Sequence, residues 1–186
     1  MAFRPVRSVS AAAAAVLAGL LCSCGGHDAE GTWRLPNGDL AGTRAAAGSN
    51  VDTGNVGQLG VRWRYALTAP PTISGIIAST PVADRATVYV QDLQSNVHAL
   101  DRATGAPRWV HRYRAPNDGP NGLAVDHERA YGATDSDAFA LSVATGRELW
   151  SRHLTSATEQ FVDVAPVTWN GLVFLSTVGY PPPSGG

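Results

Sequence analysis

An all-β fold, made of four-stranded antiparallel sheets set side by side as propeller blades, is predicted from three observations. Twenty Gly and twelve Pro in 186 residues, with few long amphipathic helical patterns, favour short strands joined by tight turns. A motif recurs: Ala99-Leu100-Asp101-Arg102-Ala103-Thr104-Gly105, followed by Trp109, matches Ala140-Leu141-Ser142-Val143-Ala144-Thr145-Gly146, followed by Trp150. The separation is 41 residues for both Ala99 to Ala140 and Trp109 to Trp150, while Tyr89, Tyr131 and Phe174 follow one another at 42 and 43. Periods of this length belong to four-stranded propeller blades.

Taken in order, the chain opens with Arg4 and Arg7 as a positive region and an apolar run of eleven residues from Ala11 to Leu21. That run is too short for an ordinary membrane span and has the size of the apolar part of a signal peptide. It ends in Leu21-Cys22-Ser23-Cys24, which resembles a bacterial lipobox, with Leu three positions before the modified Cys and a small residue directly before it. Cys24 fits because Ser23 precedes it; Cys22 fits poorly because Leu21 does. The expectation is a lipoprotein signal over 1–23, lipid on the Cys24 thiol, a tether over 24–32 and attachment to a membrane of the cell envelope. An ordinary signal peptide with incidental cysteines is the alternative. Cys22 and Cys24 are the two cysteines, so no pair remains to staple the folded domain, and stability must come from packing.

A lead-in segment over 33–60 precedes a partial propeller over 61–186, with blades near 79–113, 121–154 and 163–178. The first unit reads as strands at 79–82, 87–91, 97–101 and 107–113, and the second as 122–125, 130–133, 138–142 and 148–153. The third stops after 165–167 and 172–177. Ala-Thr-Gly forms the turn between third and fourth strands, where Gly105 and Gly146 can take a positive φ. Trp109 and Trp150, four residues later on the outer strand, are positioned to pack into the neighbouring blade. Trp63 occupies the same outer-strand position in a blade whose other strands are not nearby in sequence. Propellers close with roughly four to eight blades. The expectation is therefore an incomplete ring of two full and two partial blades, a truncated product or a fragment.

Function is narrowed first by exclusion. The 14 basic side chains, all Arg, balance 15 acidic ones and are scattered, which argues against a nucleic-acid partner. Neither a Gly-x-Ser-x-Gly nor a Walker-type or dinucleotide Gly pattern occurs, so hydrolase, NTPase and nicotinamide readings have no support. His27, His98, His111, His127 and His153 lack paired metal-ligand spacing and read as solvent-facing strand or loop residues. Asp135 and Asp137 form an Asp-x-Asp that could touch a cation but reads first as a turn cap. Glu159 and Asp163 precede the third inner strand and are further candidates, with a solvated loop as the plainer reading.

The stretch from Trp33 to Tyr65 contains Gly38-Asp39-Leu40-Ala41-Gly42-Thr43-Arg44, then Asn55-Val56-Gly57-Gln58-Leu59, then Trp63. It resembles the opening of pyrroloquinoline-quinone (PQQ) dehydrogenases, and Ala-Leu-Asp-x-x-Thr-Gly-x-x-x-Trp at Ala99 to Trp109 is similar to the quinoprotein repeat. The resemblance runs over about 33–178. It implies a quinoprotein alcohol dehydrogenase-like propeller of about eight blades, with the quinone and a calcium ion over the central channel. In that chemistry an Asp base takes the alcohol proton while hydride passes to the quinone, so the cofactor supplies the difficult step. Calcium would need several oxygen ligands from separate blades.

Two departures bear on activity. Many family members carry adjacent cysteines between the first and second units, whereas this chain has Asn117-Asp118-Gly119-Pro120-Asn121-Gly122. The family's calcium-binding Glu is expected after the second strand of the third unit, where Val178-Gly179-Tyr180 stands instead. No catalytic or cofactor-binding residue is transferred. Two readings remain: an exported, membrane-anchored quinoprotein-like propeller related to alcohol dehydrogenases, and a non-catalytic scaffold similar to the outer-membrane assembly lipoprotein built from the same repeat. Fold likeness alone does not separate them.

Overall fold

The computed structural model describes residues 31–46, 48–68, 75–115, 117, 119, 121–156 and 160–179. The signal-peptide and lipobox readings, with Cys22, Cys24 and His27, lie outside the described residues, as do Glu159 and 180–186.

In the first sheet β1 (Val82–Ala83), β2 (Thr87–Gln91), β3 (Val97–Asp101) and β4 (Pro107–His111) lie in chain order, each antiparallel to the next. The second sheet repeats this with β5 (Ala124–Asp126), β6 (Arg129–Ala133), β7 (Asp137–Ser142) and β8 (Glu148–His153). In the third unit β9 (Gln160–Val162) pairs with β12 (Thr177–Gly179), and β10 (Val167–Trp169) pairs with β11 (Leu172–Phe174). Among the described residues the one helical element is a 3-10 turn at Val56–Gln58, and no helix is long and apolar enough to cross a membrane.

All three inner strands start later than the residue pattern predicts, the second at Ala124 in place of Gly122. The first ladder begins at Val82 and the third unit's inner pairing at Val167, directly after Pro81 and Pro166. Proline has no N–H to give a ladder, so pairing starts one residue beyond it. The outer strand also ends early, at His111, because the chain then turns so that Tyr113 reaches Glu148 of the second sheet.

Equivalent positions recur in register. Inner and second strands pair at Val82↔Tyr89, Ala124↔Tyr131 and Val167↔Phe174. Third and fourth strands pair at Ala99↔Trp109 and Ala140↔Trp150, and both ladders shift register one residue on, between Ala99 and Leu100 and between Ala140 and Leu141. The repeated irregularity lets each large indole sit across from a small alanine.

The core lies between the first two sheets: Val82, Tyr89, Val97 and Ala99 from one meet Leu123, Val125, Ala130, Phe139 and Leu141 from the other. β3 and β7 are buried on both faces through most of their length, as a central strand between neighbouring blades requires, whereas β8 is mostly exposed. Gly132 faces Phe139 across the β6–β7 ladder, and a Cβ on Gly132 would lie 2.5 Å from the Phe139 ring and 2.8 Å from Leu123. The absence of a side chain there makes room for the ring. The lead-in segment stitches both blades together: Trp33 exchanges backbone hydrogen bonds with Ala83 (2.7 and 2.6 Å), and the Val125 N–H donates to the Arg34 carbonyl (2.9 Å).

Candidate functional site

Two tryptophans are laid on glycine turns, Trp63 on that of the first blade and Trp109, from the first blade, on that of the second. Gly105 (φ +74°) and Gly146 (φ +70°) close the turns after β3 and β7, where their N–H groups donate to Asp101 and Ser142 carbonyls, both at 2.8 Å. A Cβ on Gly105 would sit 2.6 Å from the Trp63 ring, and one on Gly146 would sit 2.5 Å from the Trp109 ring. The indole N–H groups complete the dock: Trp63 donates to Arg102 O (3.0 Å) and Trp109 to Val143 O (2.8 Å). Behind Trp109 and Trp150 stands a second-strand tyrosine, with Tyr89–Trp109 at 6.0 Å and Tyr131–Trp150 at 6.2 Å and nearly equal tilts of 48° and 44°. Trp150 therefore occupies on its own sheet the place that Trp109 occupies on the first, with 39% of its surface exposed. The glycines are needed twice, for a left-handed turn and for contact with an indole; the sequence indicated only the first need.

At the opposite end of the strands the connecting loops bring three buried amides together, and sequence reasoning singled out none of them as a site. Gln91 ends β2, while Asn117 and Asn121 lie on the crossing from the first blade to the second, and all three are at most 3% exposed. Gln91 Nε2 and Asn121 Nδ2 both donate to the Ala133 carbonyl (2.7 and 3.4 Å), and Asn117 Nδ2 donates to Ser95 Oγ (2.7 Å). Their carbonyl oxygens, Gln91 Oε1, Asn117 Oδ1 and Asn121 Oδ1, are buried without a hydrogen-bond partner among the described residues. Such oxygens can accept a bond from an N–H or O–H group and carry no charge. Gly122, next in the chain, packs between Ser79 of the first unit and Ala165 of the third, so this crossing lies where the inner strands converge.

Beside it the β2–β3 turn is organised by Asp92, which accepts from the Gln94 and Asn96 N–H groups (2.8 and 2.9 Å), from Asn96 Nδ2 (2.9 Å) and from His98. His98 Nε2 lies 3.1 Å from Asp92 Oδ2 and Nδ1 lies 3.0 Å from the Tyr65 hydroxyl; the tautomer protonated at Nε2 satisfies both. Burial pushes the Asp92 carboxyl up, but bonds from His98, Asn96 and Gln94 outweigh it and hold the group below its ordinary value. His98 is therefore buried and not solvent-facing, because its ring spans from its own blade to the segment bearing Trp63, which lies against the first blade without forming the outer strand its sequence position suggested. His111 is half-buried for a related reason, its Nδ1 lying 2.9 Å from the Gly146 carbonyl of the next blade. His127 and His153 are exposed, as expected.

Asp137 behaves as a turn group: Ser136 Oγ donates to it (2.6 Å), His153 Nδ1 lies 3.1 Å away, and these bonds hold its carboxyl below the ordinary range. The Asp135 carbonyl accepts the Val162 N–H (2.7 Å), which ties the second blade's turn to β9. Asp163 is half-buried with Oδ1 unpartnered among the described residues. No group of three or more His, Cys, Asp or Glu able to hold a metal exists among the described residues. A calcium ion needs several oxygens, usually with carboxylates among them, and the crossing where the family has a disulfide ring here presents Asn117 and Asn121. The described residues thus do not fit a calcium–quinone pair.

Successive four-stranded sheets clasped by docked tryptophans define a propeller of the quinoprotein dehydrogenase class. The family described as outer membrane protein assembly factor BamB, a PQQ-repeat family, matches residues 57–178, and the chain belongs to it. It is 31% identical over 150 residues to 1-butanol dehydrogenase (cytochrome c) of Thauera butanivorans, covering 74% of this chain and 21% of that protein. Quinohemoprotein alcohol dehydrogenase of Comamonas testosteroni is 28% identical over 159 residues, covering 79% and 22%. The crystal structure of that Comamonas enzyme superposes with a TM-score of 0.70 at 26% identity, covering 83% of this chain and 24% of the other. The chain thus spans about a fifth of the length of these curated relatives.

Proposed function

We propose that this chain forms a sector of an exported, lipid-anchored propeller of the quinoprotein alcohol dehydrogenase lineage, held to a bacterial envelope membrane through Cys24. The observation that carries the reading is the repeated tryptophan dock, found in a chain whose sequence likeness runs to alcohol dehydrogenases with quinone or haem cofactors. In this reading Trp63, Trp109 and Trp150 hold successive blades in register, and alcohol oxidation belongs to the assembled ring.

A second reading, a non-catalytic scaffold or binding propeller, is favoured by the two neutral amides, Asn117 and Asn121, at the first crossing, where many redox members carry cysteines. Titration of the full-length protein with PQQ and calcium separates the two. The leading reading expects cofactor absorbance to co-purify and a dye to be reduced when alcohols are added. Loss of both signals leaves the scaffold. Mass spectrometry of the mature N-terminus tests the anchor, and an unmodified Cys24 ends it.

A further inference from the structure

Four arginines, Arg62, Arg85, Arg102 and Arg108, line one open groove of about 560 Å³ with a single carboxylate, Asp101. We propose that this groove binds the phosphate of anionic phospholipid headgroups, beside the root of the N-terminal tether. The proposal rests on the lipid-anchored reading for where the membrane lies.

The groove is arranged for an oxyanion. Arg108 Nη2 donates to Asp101 Oδ2 at 2.6 Å, which leaves three guanidinium groups without a carboxylate. Arg62 Nε donates to the Ala103 carbonyl (2.9 Å), and Arg102 Nη1 donates to the carbonyls of Gly31 and Asp84. These bonds orient each side chain while occupying one nitrogen, and the others remain as donors. Arg85 makes no hydrogen bond or ion pair among the described residues. A planar guanidinium offers paired N–H groups that match phosphate oxygens.

The chain supplies its own control against the plain reading of solvated turn charges. One blade further on, Arg108 keeps the position of Arg62, whereas the positions of Arg85, Arg102 and Arg108 are taken by His127, Val143 and Leu149, and that of Asp101 by Ser142. The glycine, tryptophan and tyrosine of the dock are retained. Blade architecture therefore requires the aromatic clasp and not a cluster of four arginines.

Position selects lipid among phosphate sources. Gly31, whose carbonyl accepts from Arg102, lies seven residues after Cys24. At about 3.6 Å per residue an extended chain of that length reaches at most about 25 Å. Acylated Cys24 thus keeps the groove within that distance of the bilayer, and a groove of net positive charge is attracted to an anionic leaflet.

The test uses the full processed protein in mild detergent, titrated by calorimetry with dihexanoyl phosphatidylglycerol, dihexanoyl phosphatidylcholine and inorganic phosphate as separate probes. Phosphatidylglycerol is expected to bind at least tenfold more tightly than phosphatidylcholine, with inorganic phosphate competing weakly. Arg85→Gln, which breaks no hydrogen bond of the fold, should weaken phosphatidylglycerol binding about fivefold; Arg85→Lys, which keeps the charge but loses the paired N–H fork, should restore only part of it, and Arg152→Gln, on the exposed β8, should change nothing. Equal affinity for the two lipids, or indifference to Arg85→Gln, overturns the proposal; inorganic phosphate binding as tightly as phosphatidylglycerol overturns the choice of lipid. If Cys24 is unmodified while arginine-dependent binding persists, the anchor fails and the groove stands; acylated Cys24 with indifferent arginines gives the reverse.

Discussion

Replacing Gly146 by alanine adds one methyl group at the point where the second blade receives Trp109. The residue sits at φ +70°, and the new Cβ would lie 2.5 Å from Trp109 Cε3 and 2.6 Å from Cδ2. Left-handed backbone alone costs a non-glycine residue about 1–2 kcal/mol. The indole cannot stay where it is, so its bond to Val143 O goes as well, about 1 kcal/mol. If roughly half of the ~150–250 Å² that such a ring buries is re-exposed, about 2–3 kcal/mol more is lost at ~25 cal/mol per Å². The total is about 4–6 kcal/mol. Gly171, in the β10–β11 turn, is the matched control: its φ is +76° and nothing lies within 4 Å of an added Cβ. Gly171→Ala should therefore cost only the backbone strain, about 1–2 kcal/mol. Urea unfolding followed by tryptophan emission measures both, and the gap should move the midpoint by roughly 1–2 M at ordinary m-values. Adding Trp109→Ala to Gly146→Ala should cost much less than the sum of the two, since the clash is then gone. Equal midpoints for Gly146→Ala and Gly171→Ala refute the wedge.

Other positions give sharp expectations. Gly132→Ala has no positive φ to strain, yet it should cost about 1–3 kcal/mol because Phe139 and Leu123 already fill the space; a loss under half a kilocalorie in the same urea assay would mean that the ring moves freely. Asp92→Ala strands the donors of Gln94, Asn96 and His98 and should cost about 1–3 kcal/mol or more, read most directly as faster amide exchange across the β2–β3 turn. The same carboxylate sets an acid dependence. Its folded pKa lies below the ordinary 3.8, so its contribution is complete above about pH 4 and disappears as pH falls through the folded value. Urea midpoints at pH 7 and pH 3 should therefore fall further for the wild type than for Asp92→Asn; parallel falls would remove Asp92 from the account.

How much of this was legible beforehand depends on whether the determinant is local. The strands of the first two blades could be placed because β-rich runs alternate with Gly-bearing turns at a fixed period, and turn chemistry depends on a few adjacent residues. Inner-strand starts were misplaced in all three units: at Val82 and Val167 a proline with no N–H stands directly before the first paired residue, while the start at Ala124 has no such local cause. His98 and His111 were misjudged because their partners, Tyr65 and the Gly146 carbonyl, lie 33 and 35 positions away along the chain. A histidine's neighbours along one strand say nothing about what the next blade brings to its ring. The buried amides were hidden for the same reason: Gln91 reads as the polar end of a strand until Ala133, 42 positions on, is folded against it.

The amino-acid order by itself determined the repeat, the all-β class and the membership of the propeller lineage, since each rests on spacing that survives unfolding. Only the tertiary structure decided that the turn glycines are indole seats, that a polar Asp92–His98–Tyr65 chain occupies one blade junction where a Phe139–Tyr113 stack at 4.5 Å occupies the next, and that four arginines share a groove. Those facts arise where one blade meets its neighbour, and contact across that boundary exists only once the chain has brought distant residues together.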